Sequence, residues 1–302
     1  MPRTFVIVNP AAGRGRGARL LRPATDAFER HGGAQLRVTE RTGDEARLTQ
    51  DALASGAQAI VIIGGDGTWN RCAAAVLDAK AGTQVRLAFV AGGTGNDFAK
   101  NIGAPARDLG ALAALVADSS AERLVDAGAV ESAGRTHWFL NVAGFGFDAL
   151  VLEDLAGRGG SGGVAAYVGA ALRRLLTYPG FAFTQHGPNG GSHSAMMHTC
   201  SNGHTFGGTF RIAPDARVDD GLIDHVTIGD VHGLARLRLF VRALRGGHVA
   251  HPKVRVQQRA RVELTFPAPP TCDLDGELVR LGSKDVVVRA VPRALRVVAR
   301  PA

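Results

Sequence analysis

Cysteine, lysine and long hydrophobic runs are all scarce in this chain of 302 residues. The three cysteines, Cys72, Cys200 and Cys272, are far apart and form no Cys-x-x-Cys pair. The sequence therefore predicts neither a disulfide framework nor a zinc site, and we expect the thiols to be small buried hydrophobic groups. The longest apolar stretch, Val164 to Leu172, is far below the ~20 residues that cross a bilayer. No basic start with a long apolar segment marks a signal peptide, so we expect a cytoplasmic protein.

Only four of the 35 basic residues are lysines, and the formal net charge is +8. This excess suits attraction to anionic lipid head groups or to nucleic acid. An arginine-, alanine- and glycine-rich composition bias explains the same numbers. We expect a membrane surface rather than nucleic acid to be the partner. The length predicts two domains, and a hydrophobic content of 45% predicts an ordinary globular chain.

The stretch from Ala59 to Leu77 predicts a buried strand, a glycine loop and a helix, in that order. The loop is Gly64-Gly65-Asp66-Gly67, and Thr68 stands where a helix N-cap is expected. Such a loop suits an anion, because glycines allow close approach to backbone N–H groups at a helix N-terminus. Glycines that serve only packing remain the alternative. A carboxylate beside a phosphate needs a cation between them, so Asp66 indicates nucleotide phosphates with Mg²⁺.

The first part of the chain alternates strands with helices. The strands are predicted at Thr4–Asn9, Gln35–Thr39, Ala59–Ile63 and Arg86–Val90, and the helices at Leu20–Phe28, Asp44–Leu53, Thr68–Leu77 and Asp108–Ala117. This alternation predicts a parallel sheet covered by helices. The loops that begin at Asn9, Thr39, Gly64 and Ala91 all follow strands, so one nucleotide crevice can use all four.

The pattern changes near Leu124–Val130 to closely spaced short strands, which predicts an antiparallel sandwich-like domain. We therefore divide the chain into residues 1–124, a nucleotide-binding domain, and residues 125–302, a second domain whose extreme C-terminus could pack back on the first. The strands are predicted at His137–Val142, Phe181–Gln185, Ala195–Cys200, Leu222–Ile228, Arg261–Phe266, Leu278–Leu281 and Val286–Ala290.

Two amphipathic helices interrupt these strands. The helix from Val164 to Leu176 either packs on its own sheet or lines a lipid pocket. The helix from Leu234 to Leu244 carries Arg238, Arg242 and Arg245. Its basic side fits either a membrane-facing surface or a solvated face on a packed helix.

The motif Gly64-Gly65-Asp66-Gly67-Thr68, followed by Ala91-Gly92-Gly93-Thr94-Gly95-Asn96-Asp97-Phe98-Ala99, strongly resembles the diacylglycerol kinase catalytic domain. That family includes bacterial lipid kinases and the sphingosine and ceramide kinases. A second stretch, from Ser201-Asn202-Gly203 to Leu222, resembles it as well. The resemblance implies an α/β nucleotide-binding domain with a parallel sheet that binds ATP, at residues 1–124. It implies a mainly antiparallel β-sandwich domain that binds the lipid acceptor, at residues 125–302. NAD kinases share the first loop, so an NAD kinase-like enzyme is the nearest alternative.

The resemblance also implies which residues meet ATP and Mg²⁺. The ATP contacts would come from Asn9, Thr39, Gly64, Gly65, Asp66, Gly67, Thr68, Asn70, Gly93, Thr94, Asn96 and Asp97. A structural Mg²⁺ would be held by the Asp220 carboxylate and the backbone carbonyls of Arg217 and Leu222. Read locally, Asp219-Asp220-Gly221 is a turn.

Asp275-Gly276 reads as a two-residue hairpin turn. On local grounds Glu277 beside it could simply be solvated, but the resemblance implies that Glu277 accepts the hydroxyl proton and that Asp66 is the second catalytic residue. The implied function is an ATP-dependent lipid kinase that transfers the γ-phosphoryl group of Mg-ATP to a lipid alcohol such as diacylglycerol. It would act at the membrane surface without a transmembrane span. A catalytically silent lipid- or nucleotide-binding protein is the other alternative, and a homodimer is compatible with the sequence.

Overall fold

A computed structural model describes residues 3–104, 108–118, 121–157 and 163–299, without the side chains of residues 163–167. The chain forms two compact units. Unit 1 comprises Met1–Asp126 and Arg293–Ala302, and unit 2 comprises Ala127–Pro292. The division into a domain of residues 1–124 and a domain of residues 125–302 stays a prediction.

Unit 1 has a parallel sheet with helices between its strands, as the alternation predicts. Its elements are β1 (Thr4–Val8), α1 (Ala12–Glu29), β2 (Gln35–Val38), α2 (Asp44–Ala54), β3 (Ala59–Gly64), α3 (Asp66–Asp78), β4 (Arg86–Ala91), α4 (Asp97–Ile102), α5 (Leu109–Ala117) and the start of β5 (Glu122–Ser132). The strand order is β2-β1-β3-β4. The end of the chain's last strand adds to β4 in parallel, with Arg296 opposite Arg86.

The two central strands of the unit 1 sheet, which lead into the glycine loops, are buried along their whole length. All residues of β1 and β3 are buried, as expected for parallel strands covered on both faces. Below the loops, the Trp69 ring meets Phe89 edge-on at 5.4 Å, and Phe89 meets Phe98 at 5.3 Å. These three rings join α3, β4 and α4, and such pairs stabilise a core beyond their buried area.

Two expectations for unit 1 are wrong in detail. Thr68 is not the N-cap of α3, because the helix already begins at Asp66 and Gly65 is the capping residue with extended backbone angles. The Thr68 hydroxyl instead accepts a hydrogen bond from Asn9. Helix α4 was not predicted, since six residues are too short to show a helical period.

Unit 2 is mainly antiparallel, again as predicted. After the rest of β5 come β6 (Arg135–Phe139), β7 (Val142–Gly146), α6 (Phe147–Ala156), α7 (Gly163–Leu175), β8 (Phe181–Gln185), β9 (Gly191–Ser201), β10 (Ile223–Gly229), α8 (Leu234–Ala243), a 3-10 helix (Gly247–Ala250), β11 (Val254–Arg259), β12 (Arg261–Thr265), β13 (Thr271–Leu274), β14 (Glu277–Arg280) and β15 (Asp285–Val298). Strand β9 pairs with β7, β8 and β10, and β13 pairs with β7 and β14.

Two clusters of buried apolar side chains lie in the described part of unit 2. One contains Phe145, Phe183 and Phe266 with residues of the surrounding strands. The other lies under the helices and contains Met196, Val226 and Leu239. Among the described residues, no helix combines the length and the hydropathy that a membrane crossing requires.

The sequence missed several features of unit 2. Helix α6 and strand β11 were not predicted, so three α-helices rather than two interrupt the strands in the part of unit 2 that the structure describes. The single strand predicted at His137–Val142 is two strands, β6 and β7. It breaks at Leu140 because the backbone N–H groups of Leu140, Asn141 and Val142 donate to the Asp275 carboxylate rather than to a neighbouring strand.

Candidate active site

Three glycine loops of unit 1 touch one another at the carboxyl edge of its parallel sheet. A Cβ on Gly13, which follows β1, would lie 2.1 Å from the Gly92 carbonyl oxygen after β4. A Cβ on Gly93 would lie 2.5 Å from the Cα of Gly65 after β3. No side chain fits at either distance, so the loops meet through bare backbone. Gly13 and Gly15 take positive φ, which glycine adopts without strain, and Arg14 between them also takes positive φ. These three residues therefore form a non-helical loop within the bounds of α1.

Asn9 joins the loop after β1 to helix α3. Its Nδ2 donates to the Thr68 hydroxyl over 2.9 Å, and a Cβ on Gly64 would lie 2.5 Å from the Thr68 Cβ. Thr39 is buried, and its N–H donates to the Val8 carbonyl over 2.9 Å, which places it at the same edge. Buried Glu45 accepts from Arg71 over 3.3 Å and approaches Asn9 Nδ2 at 3.5 Å. The sequence analysis missed Glu45, whose only signal was its place on α2.

Asp66 links two of the glycine loops. Its Oδ1 accepts the backbone N–H of Asp97 over 2.7 Å and that of Phe98 over 3.3 Å. Asp66 therefore caps the N-terminus of α4, although it lies 31 residues before Asp97 in the sequence. The residue at the N-cap position itself, Asn96, has a φ of 50° and makes no side-chain cap. The Asn96 side chain instead bonds both backbone groups of Gly93 at 3.0 Å each.

The carboxylates of Asp66 and Asp97 converge beside Gly95. A Cβ built on Gly95 would lie 3.0 Å from Asp66 Oδ2 and 3.6 Å from Asp97 Oδ2. Lys100 Nζ contacts the other oxygen of Asp97 at 2.9 Å. Two carboxylates next to a glycine backbone supply the hard oxygen donors that Mg²⁺ prefers. The residues present thus fit a magnesium ion with phosphate oxygens.

The remaining predicted nucleotide contacts lie on the same loops. Gly67 and Asn70 are half-buried on the first turns of α3, and Thr94 is exposed between Gly93 and Gly95. Thr94 stands on the segment that contacts the loop after β3. All twelve predicted contacts therefore follow a strand of the parallel sheet or lie on the first turn or two of the helix after it.

In unit 2, Glu277 follows the two-residue hairpin turn that the sequence predicts. Leu274 and Glu277 are directly paired, and Asp275 and Gly276 between them have φ values of 52° and 91°. Positive φ at both central residues is typical of a type I′ turn. Glu277 itself is half-buried. The hairpin holds Glu277 at the first position of a strand rather than on a loose loop.

The turn is fixed by the carboxylate of Asp275. Its two oxygens accept the backbone N–H groups of Leu140 at 2.6 Å and of Asn141 and Val142 at 2.9 Å each. Asn202 supports the same segment, because its Nδ2 donates to the Leu140 carbonyl over 2.7 Å and its N–H to the Asn141 carbonyl over 2.8 Å. The sequence analysis gave these residues no role, although both Asn202 and Asp275 stand in motifs that it quoted.

A buried pair of carboxyl groups lies behind this turn. The Gly276 N–H donates to Asp273 Oδ1 over 2.6 Å. Burial, with the negative charge of Asp148 next, holds the pKa of Asp273 well above its usual 3.8. Gly144 leaves room for Asp148, since a Cβ there would lie 1.8 Å from Asp148 Oδ2. Because two buried carboxylates repel each other, the pair retains a proton.

An apolar pocket of about 470 Å³ opens in unit 2. Its walls include Phe145, Tyr178, Phe181, Phe266 and Thr271. Thr271 begins β13, the strand that leads into the Asp275 turn. Thr271 thus joins the wall of the pocket to the hairpin whose turn precedes Glu277, and an apolar wall suits a hydrocarbon chain.

Comparisons with known proteins agree with both units. Residues 3–130 match the model of the diacylglycerol kinase catalytic domain, and residues 141–299 match that of the YegS C-terminal NAD kinase beta sandwich-like domain. A relative from Xanthomonas campestris pv. campestris (strain 8004), named "Probable lipid kinase YegS-like", is 33% identical over 263 residues, or 85% of this chain and 84% of its own. The chain belongs to the diacylglycerol kinase family. It is therefore a kinase of the lipid kinase type.

A second relative in sequence and a solved structure are also similar to this chain along most of its length. A "Diacylglycerol kinase" from Mycobacterium tuberculosis (strain CDC 1551 / Oshkosh) is 29% identical over 271 residues, which cover 88% of this chain and 85% of the relative. A crystal structure of a diacylglycerol kinase from Bacillus anthracis str. Sterne aligns with a TM-score of 0.73 at 18% identity, over 99% and 97% of the two chains. This likeness confirms the predicted fold class.

The turn that the resemblance assigns to a structural metal is acidic in this member of the family. Asp220 Oδ1 accepts the Leu222 N–H over 3.0 Å, and Asp219 pairs with Arg217 at 3.3 Å. Burial raises the pKa of Asp224 to about 6, with smaller contributions from the charges of Asp220 and Asp215 against a hydrogen bond from Gln258. Carboxylates that repel one another in this way fit a cation.

One cluster of metal-ligating residue types was not foreseen. The Cys200 Sγ lies 3.5 Å from His198 Nε2 and 3.3 Å from His225 Nδ1, and all three residues are buried. The cross-strand pairing of Cys200 with His225 brings them together. Burial lowers the pKa of His225 to about 3 and raises that of the Cys200 thiol well above its usual 9.0. All three cysteines are buried, as the sequence predicts.

Proposed function

We propose that this protein is an ATP-dependent lipid kinase that transfers the γ-phosphoryl group of Mg-ATP to the hydroxyl of a lipid alcohol such as diacylglycerol. The convergence of Asp66 and Asp97 beside Gly95, within contacting glycine loops, is the observation that carries the phosphoryl-transfer part. The names of its relatives and the apolar pocket of unit 2 support the lipid part.

In this proposal the glycine loops bind the nucleotide. Backbone N–H groups at Gly64, Gly65, Gly67 and Gly93 would meet phosphate oxygens, as bare loops at strand ends do. The other contacts are assigned to Asn9, Thr39, Thr68, Asn70, Thr94 and Asn96. Asp66 and Asp97 would hold Mg²⁺, which when bound neutralises phosphate charge.

Glu277 is the proposed proton acceptor. A positioned carboxylate receives the hydroxyl proton as the alcohol oxygen forms its bond to the γ-phosphorus, while the bond from that phosphorus to the β,γ-bridging oxygen breaks and ADP leaves. Asp275 acts on this step only by position, since its three backbone hydrogen bonds fix the turn that precedes Glu277. Asp66 is the second residue assigned to catalysis. A structural Mg²⁺ is proposed at Asp220 with the carbonyls of Arg217 and Leu222.

The acceptor is proposed to be a lipid at a membrane surface, approached by a cytoplasmic protein with no nucleic-acid partner. Incubation of the protein with γ-labelled ATP, Mg²⁺ and a total lipid extract, followed by mass spectrometry, tests this. We expect label in one phosphorylated lipid class and none in parallel reactions supplied with NAD. Label in NAD phosphate would favour an NAD kinase-like enzyme. ATP binding without any labelled product would indicate a silent nucleotide-binding protein.

A further inference from the structure

Helix α8 of unit 2 exposes a stripe of large aliphatic side chains. Leu234 is 70% exposed, Leu237 40%, Val241 56% and, just past the helix end, Leu244 38%. They recur at intervals of three and four residues, so they share one side of the helix. The opposite side is already packed, since Leu239 and Ala243 are buried. The outward stripe is therefore a second apolar face, in addition to the one that the fold uses.

An arc of arginines runs beside this stripe. Arg238, Arg242 and Arg245 are all exposed, and helical spacing places them next to Leu234 and Val241. An exposed apolar stripe flanked by arginines is typical of helices that lie in the plane of a membrane interface. Here "docking face" denotes Leu234, Leu237, Arg238, Val241, Arg242, Leu244 and Arg245.

Helix α8, which carries the docking face, is fixed to the segment at the end of α7. Buried Arg236 donates to the carbonyls of Leu175 at 2.9 Å and Tyr178 at 2.7 Å, at the C-terminal end of α7. Next to these carbonyls, Leu172 is 44% and Leu176 60% exposed. Arg236 thus joins the exposed leucines at the end of α7 to the first turn of α8.

The segment of the sequence that carries the docking face contains no acidic residue of its own. From Val231 to Val262 the sequence contains seven arginines and one lysine but no aspartate or glutamate. The preceding acid, Asp230, contacts Arg236 and His232 at 3.4 Å each. A surface of this composition attracts anions over a Debye length.

We propose that the docking face binds the surface of an anionic phospholipid bilayer. Its aliphatic side chains would enter the boundary between head groups and acyl chains, while the arginines would meet lipid phosphates. A second copy of the chain fits this face less well, because a twofold contact would bring Arg238, Arg242 and Arg245 against the same arginines without an acid between them. The proposal deepens the proposed function by naming how the enzyme reaches its lipid, although the binding itself needs no kinase activity.

Vesicle co-sedimentation without ATP tests the docking face directly. We expect the wild-type protein to bind vesicles of phosphatidylcholine with 30% phosphatidylglycerol at least about tenfold more tightly than vesicles of phosphatidylcholine alone. The variant Arg238→Gln/Arg242→Gln/Arg245→Gln should bind anionic vesicles about a hundredfold more weakly, since each basic residue near such a surface contributes about fivefold. The variant Leu234→Ser/Leu237→Ser/Val241→Ser should lose at least about tenfold, because each buried aliphatic group adds to binding.

A matched control separates the docking face from net charge. Arg19 and Arg22 on α1 of unit 1 and Arg30 just after its end are exposed, so Arg19→Gln/Arg22→Gln/Arg30→Gln also removes three charges. It should keep vesicle binding within about twofold to threefold, because α1 exposes no large aliphatic side chain beside these arginines. Equal losses in both arginine variants would overturn the proposal. The proposal would also be overturned if the wild-type protein formed a dimer in lipid-free solution, the serine variant were monomeric there, and that variant bound vesicles as tightly as the wild-type protein.

Kinase assays keep this proposal distinct from the proposed function. The docking variants should retain wild-type turnover of a water-soluble, short-chain diacylglycerol and lose turnover of diacylglycerol embedded in anionic vesicles. Vesicle binding by a protein that phosphorylates neither substrate would support the docking face and refute the proposed function. Normal turnover of vesicle-embedded substrate by both docking variants would overturn the docking face alone.

Discussion

Asp275→Asn should destabilise the protein and slow its reaction, although the residue touches neither nucleotide nor lipid in the proposed mechanism. The substitution keeps the shape of the side chain but turns one carboxylate oxygen into an NH₂ group. The oxygens of Asp275 accept three backbone N–H groups, one on Oδ2 and two on Oδ1. In either orientation of the amide, the NH₂ group therefore faces at least one buried N–H donor.

The expected cost follows from these contacts. A buried donor left without an acceptor costs about 1–3 kcal/mol, and the remaining hydrogen bonds lose the strength that a charged acceptor gives them. We expect a loss of about 2–4 kcal/mol in the free energy of unfolding. For a protein unit of this size, that corresponds to a fall in Tm of about 5–15 °C. The turn that carries Glu277 should also loosen, so kcat should fall more than the KM for ATP rises.

Thermal unfolding followed by circular dichroism measures the first effect, and steady-state kinetics measures the second. Asp219→Asn is the matched control, because Asp219 lies on another turn of the same unit, is half-buried rather than buried, and pairs with the exposed Arg217. Its unfolding free energy should change by no more than about 0.5 kcal/mol. Asp275→Asn with wild-type Tm would refute the reasoning about the turn.

Three further predictions concern the metal sites and the core. Asp66→Asn should abolish Mg²⁺-dependent turnover yet keep wild-type Tm, because an amide oxygen can still cap α4. Asp66→Ala should in addition lose about 1 kcal/mol in the free energy of unfolding. Normal Mg²⁺ dependence in Asp66→Asn would reject the phosphate-loop assignment. Mg²⁺ should raise the Tm of the wild-type protein and not that of Asp220→Ala, and equal responses to EDTA would remove this site. The pKa of His225 is lowered from 6.5 to about 3, so its contribution to stability is complete above pH 6.5 and is lost as pH falls toward 3. His225→Gln should therefore lose stability less steeply between pH 6.5 and 4, by up to about 1.4 kcal/mol per pH unit, and parallel pH curves would contradict the buried neutral imidazole.

Much of unit 1 could be predicted from the sequence, because its signals are local. Buried strands such as Ala59–Gly64 appear as apolar runs, and Gly64-Gly65-Asp66-Gly67 identifies the loop. The start of α3 at Asp66 was missed because a capping residue is defined by backbone angles, and Gly65 is as good an N-cap as Thr68.

The supporting residues of the site could not be predicted in the same way. Asp275 meets Leu140 across 135 residues of sequence, and Asp66 meets Phe98 across 32. Such contacts depend on strand pairing, which leaves no periodic signal in the sequence. The two roles of Asp66, as helix cap and as one of two carboxylates beside Gly95, therefore appear only in three dimensions.

The most direct test of the account is the turnover of Glu277→Gln, measured with γ-labelled ATP, Mg²⁺ and the lipid acceptor that the extract assay identifies. The glutamine keeps the size of the side chain and cannot accept the hydroxyl proton. We expect kcat to fall by about 10²- to 10⁴-fold, with the lower end reflecting a loose transition state. ATP affinity, measured separately by calorimetry, should not change. Full turnover in Glu277→Gln with unchanged ATP binding would contradict Glu277 as the base and leave Asp275-Gly276-Glu277 as a structural hairpin.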